Sequence, residues 1–246
     1  MATVNMVLQG KGGVGKSLVA SLLAQYFIEH DYPLACIDTD PVNTTFAGYE
    51  ALKADVIEIM EGDNINQRCF DKLMDRIELL PEDDCAQMVV DNGAATFVPL
   101  GSYMAENDVT DYIRDKTPHR LRLHCIVTGG QAMHDTLDGL KKLLEAFPTS
   151  PIVLWLNPYF GNIVSDGIPF SDFKIYKNNI HRFESVIQLP IKNPSTFGQD
   201  LINVLNQRIT FREVAESNMP TMQRHRIKKY WAEIKAEMDK AGLLEF

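Results

Sequence analysis

The stretch Gly10-Lys11-Gly12-Gly13-Val14-Gly15-Lys16-Ser17 restricts the fold more than any other part of this chain. An apolar run of strand length, Val4 to Leu8, precedes it, and a segment of helical length, Leu18 to Glu29, follows. Strand, loop and helix together fit the template G-x-x-x-x-G-K-[ST], a phosphate-binding loop. Each residue type has a physical reason. Glycines let the backbone turn and bring its N–H groups close to phosphate oxygens. The helix that begins there directs its positive dipole end at the same point. Lys16 adds a full charge for the β- and γ-phosphates, and the Ser17 hydroxyl is of the type that ligates Mg²⁺. The nucleotide-binding set read here runs from Gly10 to Leu18.

Gly10-x-Gly12-x-x-Gly15 also satisfies the dinucleotide fingerprint, and Asp38 lies where that fingerprint places an acid for a ribose. The two templates part at Lys16-Ser17, because a dehydrogenase has no need of a lysine and a hydroxyl at the helix start. A triphosphate is therefore the favoured ligand and a dinucleotide the alternative.

Lys11, directly after the first glycine, stands where an ordinary phosphate loop accepts almost any residue. This resembles the deviant Walker A motif, K-G-G-x-G-K-[ST], of the ParA/MinD family of dimerising ATPases. In that family the extra lysine reaches across a dimer interface to the partner's nucleotide. The plainer alternative for Lys11 is a solvated loop lysine.

A chain of 246 residues that is 45% hydrophobic and 23% charged suits a globular protein with a large core, read here as one domain over 1–246. No run of 18 apolar residues is present, so a membrane-spanning helix is not expected, and neither is membrane insertion. The N-terminus lacks a charged leader ahead of an apolar core, so a cytoplasmic location is expected. Cys36, Cys69, Cys85 and Cys125 form no C-x-x-C pair, which argues against a disulfide framework, a zinc knuckle or an iron–sulfur carrier.

The net charge of −9 is uneven. Residues 1–120 hold 20 acids against 9 bases, residues 121–205 balance at 7 and 7, and residues 206–246 hold 6 against 8. Tight non-specific DNA binding rests on basic charge, so direct DNA contact is expected to be weak and confined to the last segment.

Leu34 to Ile37 is a short buried strand that delivers Asp38-Thr39-Asp40-Pro41 at its carboxyl end, where open α/β sheets place ligands. Two carboxylates one residue apart beside metal and phosphate divide naturally into a metal position at Asp38, with Asp40 also near the metal, and a water-orienting position at Asp40. An Asp–Pro turn with no further role is the alternative. Gln87 to Val90 is a third strand ending in an acid, Asp91. This is the Walker B pattern, whose carboxylate holds a Mg²⁺-bound water.

Further along, Asp55 to Met60 reads as a short edge strand, and Asn64 to Leu79 as a helix with Phe70, Leu73, Met74 and Ile77 on one face. Phe97 to Lys116 reads as helical with breaks at Pro99 and Gly101. Leu121 to Thr128 and Pro151 to Leu156 are buried strands, with a helix from Gln131 to Phe147 between them. Pro158 to Phe173 is a long loop, a candidate lid or partner surface. Ser185 to Leu189 is a last strand. Phe197 to Leu205 and Phe211 to Ser217 are short helices. A helix from about Met222 to Leu244 carries Ile227, Trp231, Ile234 and Met238 on one face and is expected to dock on the domain. None of the six histidines has a second imidazole at ligand spacing. The alternation of strands and helices gives an α/β, doubly wound, mainly parallel sheet flanked by helices.

The family resemblance adds roles that the residues alone do not. It makes Asp40 the hydrolysis residue of a first switch, with Lys11 and Lys16 as its catalytic partners. It places Asn157 at the adenine edge, with Pro190 and Ile191 packing on the base, and it implies ATP, Mg²⁺ and a homodimer that sandwiches nucleotide. Val42-Asn43 after the proline and Asn92-Gly93 after Asp91 depart from the family's usual residues.

Several phrases look like the TraL-type conjugal-transfer proteins: residues 7–13, Cys36 to Asn43, Val90 to Gly93, Val127 to Gln131 and Trp155 to Tyr159. That likeness implies a part in plasmid transfer and a protein partner in the conjugation or DNA-processing machinery. Two rival functions stay open, a partition ATPase that binds DNA and an ATP-binding scaffold with little turnover.

Overall fold

The computed structural model describes residues 1–244. In chain order the elements are β1 (Thr3–Val7), α1 (Lys16–Glu29), β2 (Leu34–Asp38), β3 (Asp55–Val56), β4 (Met60–Glu61), β5 (Asn64–Ile65), α2 (Asp71–Glu78), β6 (Gln87–Asp91), α3 (Phe97–Glu106) and α4 (Val109–Lys116). There follow β7 (Arg120–Thr128), α5 (Met133–Ala146), β8 (Ile152–Asn157), β9 (Val164–Ser165), β10 (Ile168–Pro169), α6 (Lys174–Asn178), β11 (Phe183–Gln188), α7 (Gln199–Gln207), α8 (Phe211–Glu216) and α9 (Thr221–Lys240).

Seven strands form one sheet in the order β11-β8-β7-β1-β6-β2-β3, and every pairing in it is parallel. Strands buried on both faces need apolar side chains at successive positions, which is why β1, β6 and β8 read as near-continuous hydrophobic runs. The chain leaves β1 toward β2 and the β3 edge, returns to place β6 beside β1, and then builds outward through β7, β8 and β11. β1 therefore lies where the winding reverses, and ligands in open α/β sheets collect at the carboxyl ends of the strands there.

One face of the sheet packs against α2 to α5 through residues such as Leu73, Leu100, Ile113 and Leu140. The other packs against α1, α7, α8 and α9. In α1 most positions from Val19 to Phe27 are buried, because the sheet covers one side and the C-terminal helices the other. In α9, Ile227, Trp231, Ile234 and Met238 are all buried. Each such side chain contributes about 1.5–3 kcal/mol. Polar ties fix the docking: Tyr26 Oη donates to Asp239 at 2.6 Å, Arg226 pairs with Asp200 at 2.6 Å, and Lys192 pairs with Glu233.

Several element boundaries differ from the sequence expectation. The break in Phe97 to Lys116 falls at Asn107-Asp108, where Asp108 is left-handed at φ 49°, and not at Pro99 or Gly101. Pro99 lies in the first turn of α3, where its missing N–H has no helical acceptor to lose. The region read as a helix from Asn64 begins instead with a tight hairpin, β4–β5, and a 3₁₀ turn over Gln67–Phe70, so α2 starts at Asp71. The long loop after Asn157 holds a 3₁₀ turn and the β9–β10 hairpin. Among the described residues no helix is long and apolar enough to cross a membrane.

Candidate functional site

The parallel register brings the two acid-bearing strand ends level with the end of β1. Val7 of β1 is level with Asp91 of β6, and Asp91 is level with Asp38 of β2. Asn92, next to Asp91, laces these ends: its Nδ2 donates to Val7 O at 3.2 Å, and its Oδ1 accepts from Thr39 Oγ1 at 2.9 Å. Nothing in the sequence marked Asn92 for this role beyond its place after the strand acid.

The loop from Gly10 to Ser17 leaves β1 and enters α1. Gly15 sits at φ 105°, a conformation that a side chain would strain, and no side chain caps the N–H groups that follow it. Those donors open into a cleft of about 550 Å³. Its lining comes from the loop (Gly12, Gly13, Gly15 to Leu18), from the stretch after β2 (Asp40, Val42, Asn43, Thr45) and from Ala94-Ala95. Lys16 is largely buried, and its Nζ donates to Lys11 O at 3.0 Å, which arches the side chain back over its own loop. Burial holds the Lys16 ammonium below the ordinary lysine range, with Asp91 and Asp40 pulling the other way.

The three carboxylates are not equivalent. Asp38 is fully buried and accepts from the backbone N–H of Asp40 and of Ala47, both at 2.9 Å. Burial raises its carboxyl, and those N–H groups counter the rise. Asp40 is half-buried, and its Oδ1 accepts from Val42 N and Asn43 N in a tight turn. Gly93 packs against it so closely that a Cβ there would lie 2.7 Å from Asp40 Cγ.

Asp91 is 1% exposed, and neither of its carboxylate oxygens has a hydrogen-bond partner. Burial pushes its carboxyl up to about 7. The Ser17 hydroxyl, which lies near the carboxylate without a formed hydrogen bond, and Lys16 pull down against that, while Asp38 and Asp40 push further up. A buried carboxylate with two orphaned oxygens beside a hydroxyl, a lysine and two more acids suits a hard divalent cation with its waters, whose ligands are oxygen donors.

Lys11 points away from Lys16. Its Nζ pairs with Asp135 of α5 at 2.7 Å, and both side chains are exposed. Asn157 stands at the end of β8, where its Nδ2 donates to Val14 O at 2.9 Å and its Oδ1 accepts from Tyr159 N at 3.1 Å. The amide thus braces the phosphate loop from outside, leaving one N–H and one lone pair for a ligand. Pro190 and the exposed Ile191 follow β11; like Asn157 they lie outside the cleft lining.

Residues 5–236 match the model of the CobQ/CobB/MinD/ParA nucleotide binding domain. Two Escherichia coli proteins named TraL are 42% and 43% identical over 246 residues, covering 99% of this chain and all of their own length. Among solved structures, the MinD cell division protein of Aquifex aeolicus superposes with a TM-score of 0.52 at 14% identity, over 96% of this chain and 98% of that one. The same organism's MinC:MinD complex gives 0.52 at 13%, over 96% of each chain. The winding of the sheet, the loop at its reversal and these matches agree: the chain belongs to the CobQ/CobB/MinD/ParA nucleotide-binding family and is a relative of the TraL proteins.

Proposed function

We propose that this protein binds ATP with Mg²⁺ in the cleft, hydrolyses it slowly, and pairs with a second copy around two nucleotides as a timed switch in conjugative plasmid transfer. The observation that carries this reading is Asp91, a buried acid with no partner of its own where a metal–triphosphate would lie. Dinucleotide chemistry has no use for that carboxylate or for Lys16. Ser17, Asp38, Asp40 and Asp91 are the residues that would hold the metal, which when bound supplies positive charge to the phosphate oxygens.

The chain's own residues do the rest. The N–H groups of the loop through Leu18 receive phosphate oxygens, and Lys16 swings from Lys11 O to the β- and γ-phosphates. Asp40 keeps Oδ1 in its turn, which leaves Oδ2 to accept a proton from the attacking water. Lys11 leaves Asp135 for the nucleotide of the second copy. Asn157 sits near the adenine, with Pro190 and Ile191 on the other side of the base. The conjugative role, a partner from the transfer machinery and a cytoplasmic site of action rest on the likeness to TraL proteins.

One observation favours a second reading. The Asp40 turn is complete without any ligand, so Asp40 could serve only to shape its loop in a protein that binds ATP and hardly turns over. Phosphate release separates the two: the switch reading expects Asp40→Ala to lose most turnover while still binding ATP, and equal rates would remove Asp40 from catalysis. A sizing run with ATP tests the dimer. Lys11→Ala is expected to stay monomeric, and an unchanged ATP-dependent dimer would contradict the cross-interface role.

A further inference from the structure

At the far end of α1 from the phosphate loop, α8 and α9 enclose a second concavity of about 270 Å³. Glu29 at its edge is thirteen residues from Lys16, which puts the groove roughly 20 Å along the helix from the nucleotide cleft. The floor is apolar. Phe211 and Trp231 stack at 4.7 Å with an interplanar angle of 12°, and Val214 and Ala232 extend that surface. Trp231 donates its indole N–H to Glu29 at 2.5 Å, which fixes the ring.

The rim is cationic. Arg224 and Lys228 recur along α9 at the spacing that places them on the stripe of Trp231 and Lys235. Lys235 is partly neutralised by Glu29, and Arg212 of α8 is shared with Glu216 at 3.3 Å. Arg224 and Lys228 form no ion pair among the described residues, and Arg224 Nε is buried without a hydrogen-bond partner. Two cations without an ion pair thus flank a groove floored by Phe211 and Trp231, which are 6% and 5% exposed, in a chain of net charge −9.

We propose that this groove is a docking site for an acidic peptide segment of a partner protein, anchored by one aromatic or branched apolar side chain. The anchor lies on Phe211 and Trp231 between α8 and α9, and flanking carboxylates pair with Arg224 and Lys228. Charge complementarity selects the sign of the partner. The volume selects a side chain: it lies below the roughly 300–1,000 Å³ of cavities that take whole small molecules. A nucleic acid would meet two unpaired cations and then the strongly acidic remainder of the chain. A lipid surface would need the apolar face of α9, which is turned into the core. The placement, away from the nucleotide cleft, leaves the groove accessible whether or not a second copy covers the phosphate loops.

Random peptides displayed on phage and panned against the full chain supply the probe. Recovered binders, made as fluorescein-labelled peptides, are then measured by polarisation. Binders are expected to carry Asp or Glu around one large apolar residue. Arg224→Glu with Lys228→Glu is expected to weaken them at least tenfold. Ala232→Phe, which fills the floor without touching charge, should do the same, while Lys141→Glu on the opposite helical layer should change nothing. Thermal melting checks that each variant is folded. The proposal is overturned by a panning that yields no binder, by binders without acidic character, or by binders indifferent to both groove variants. It is equally overturned if a 30-base-pair duplex or phosphatidylserine vesicles bind the wild type and are lost with the same substitutions.

Discussion

Two sets of buried polar groups lie on the same face of the central strands: Asn5, His124 and Trp155 have their side-chain hydrogen bonds made, with Gln87 Nε2 at the edge of the set left without a partner, whereas neither carboxylate oxygen of Asp91 has one. In mid-sheet, Asn5 Nδ2 donates to Gln87 Oε1 and Met88 O, and its Oδ1 accepts from His124 Nε2 at 3.1 Å. The Trp155 indole donates to His124 Nδ1 at 3.0 Å. Those contacts give His124 the neutral Nε2–H form. Complete burial, with Arg122 nearby, holds its pKa well below the ordinary histidine value. A few residues further along the strands, Asp91 is as deeply buried and has no partner. A satisfied network specifies a core, whereas an unsatisfied acid stores free energy that a ligand releases. His124, with both ring nitrogens hydrogen-bonded and outside the cleft lining, is therefore given no part in the proposed chemistry.

Breaking the satisfied set should have the largest effect on stability. His124→Ala leaves a void and strands the Trp155 N–H and the Asn5 carbonyl oxygen, so urea unfolding should show a loss of about 3–5 kcal/mol. The residual folded protein should bind ATP with unchanged affinity, because His124 is remote from the cleft lining.

The opposite sign is expected at the tip. Asp91→Asn removes a buried charge that has no partner, so the nucleotide-free variant should be more stable than wild type above neutral pH, by roughly 1–3 kcal/mol. The wild type should also show a pH signature. Between an unfolded value near 4 and a folded value of about 7, the native state holds a proton that the unfolded chain has lost. Its stability should therefore fall as pH rises through that window, and Asp91→Asn should flatten the slope. The same substitution should abolish the enhancement of ATP binding by Mg²⁺.

Gly93→Ala sharpens the comparison within the tip itself. Its Cβ would drive Asp40 out of place and should lower turnover about tenfold with ATP binding retained, which phosphate release and calorimetry can separate. The smallest effect is expected at the exposed Lys11–Asp135 pair. Asp135→Asn should leave the melting temperature unchanged, since exposed ion pairs contribute little. A clear loss would mean that the pair holds α5 in place.

The parts of this molecule that were legible in the sequence are those set by short-range chemistry. The Gly10 to Ser17 loop, the apolar runs ending in Asp38 and Asp91, and the apolar stripe of α9 each carry their structure in a few adjacent residues. What was not legible depends on distant neighbours. Asn107-Asp108 ends a helix where Pro99 does not, because a proline is harmless in a first turn. The polar row of Asn5, Gln87 and His124 is invisible in strands that read as apolar, since its partners come from different strands. Asn157 and Asn92 act through loop carbonyls and hydroxyls that only the assembled sheet brings within reach. The groove between α8 and α9 needs α1 and both helices in place before it exists.

The most direct test of the central claim is calorimetric titration of the purified wild-type protein with ATP, with and without Mg²⁺, alongside NAD. The account predicts saturable ATP binding that Mg²⁺ tightens and that Lys16→Ala abolishes. Binding of NAD with no response to ATP and Mg²⁺ would contradict it.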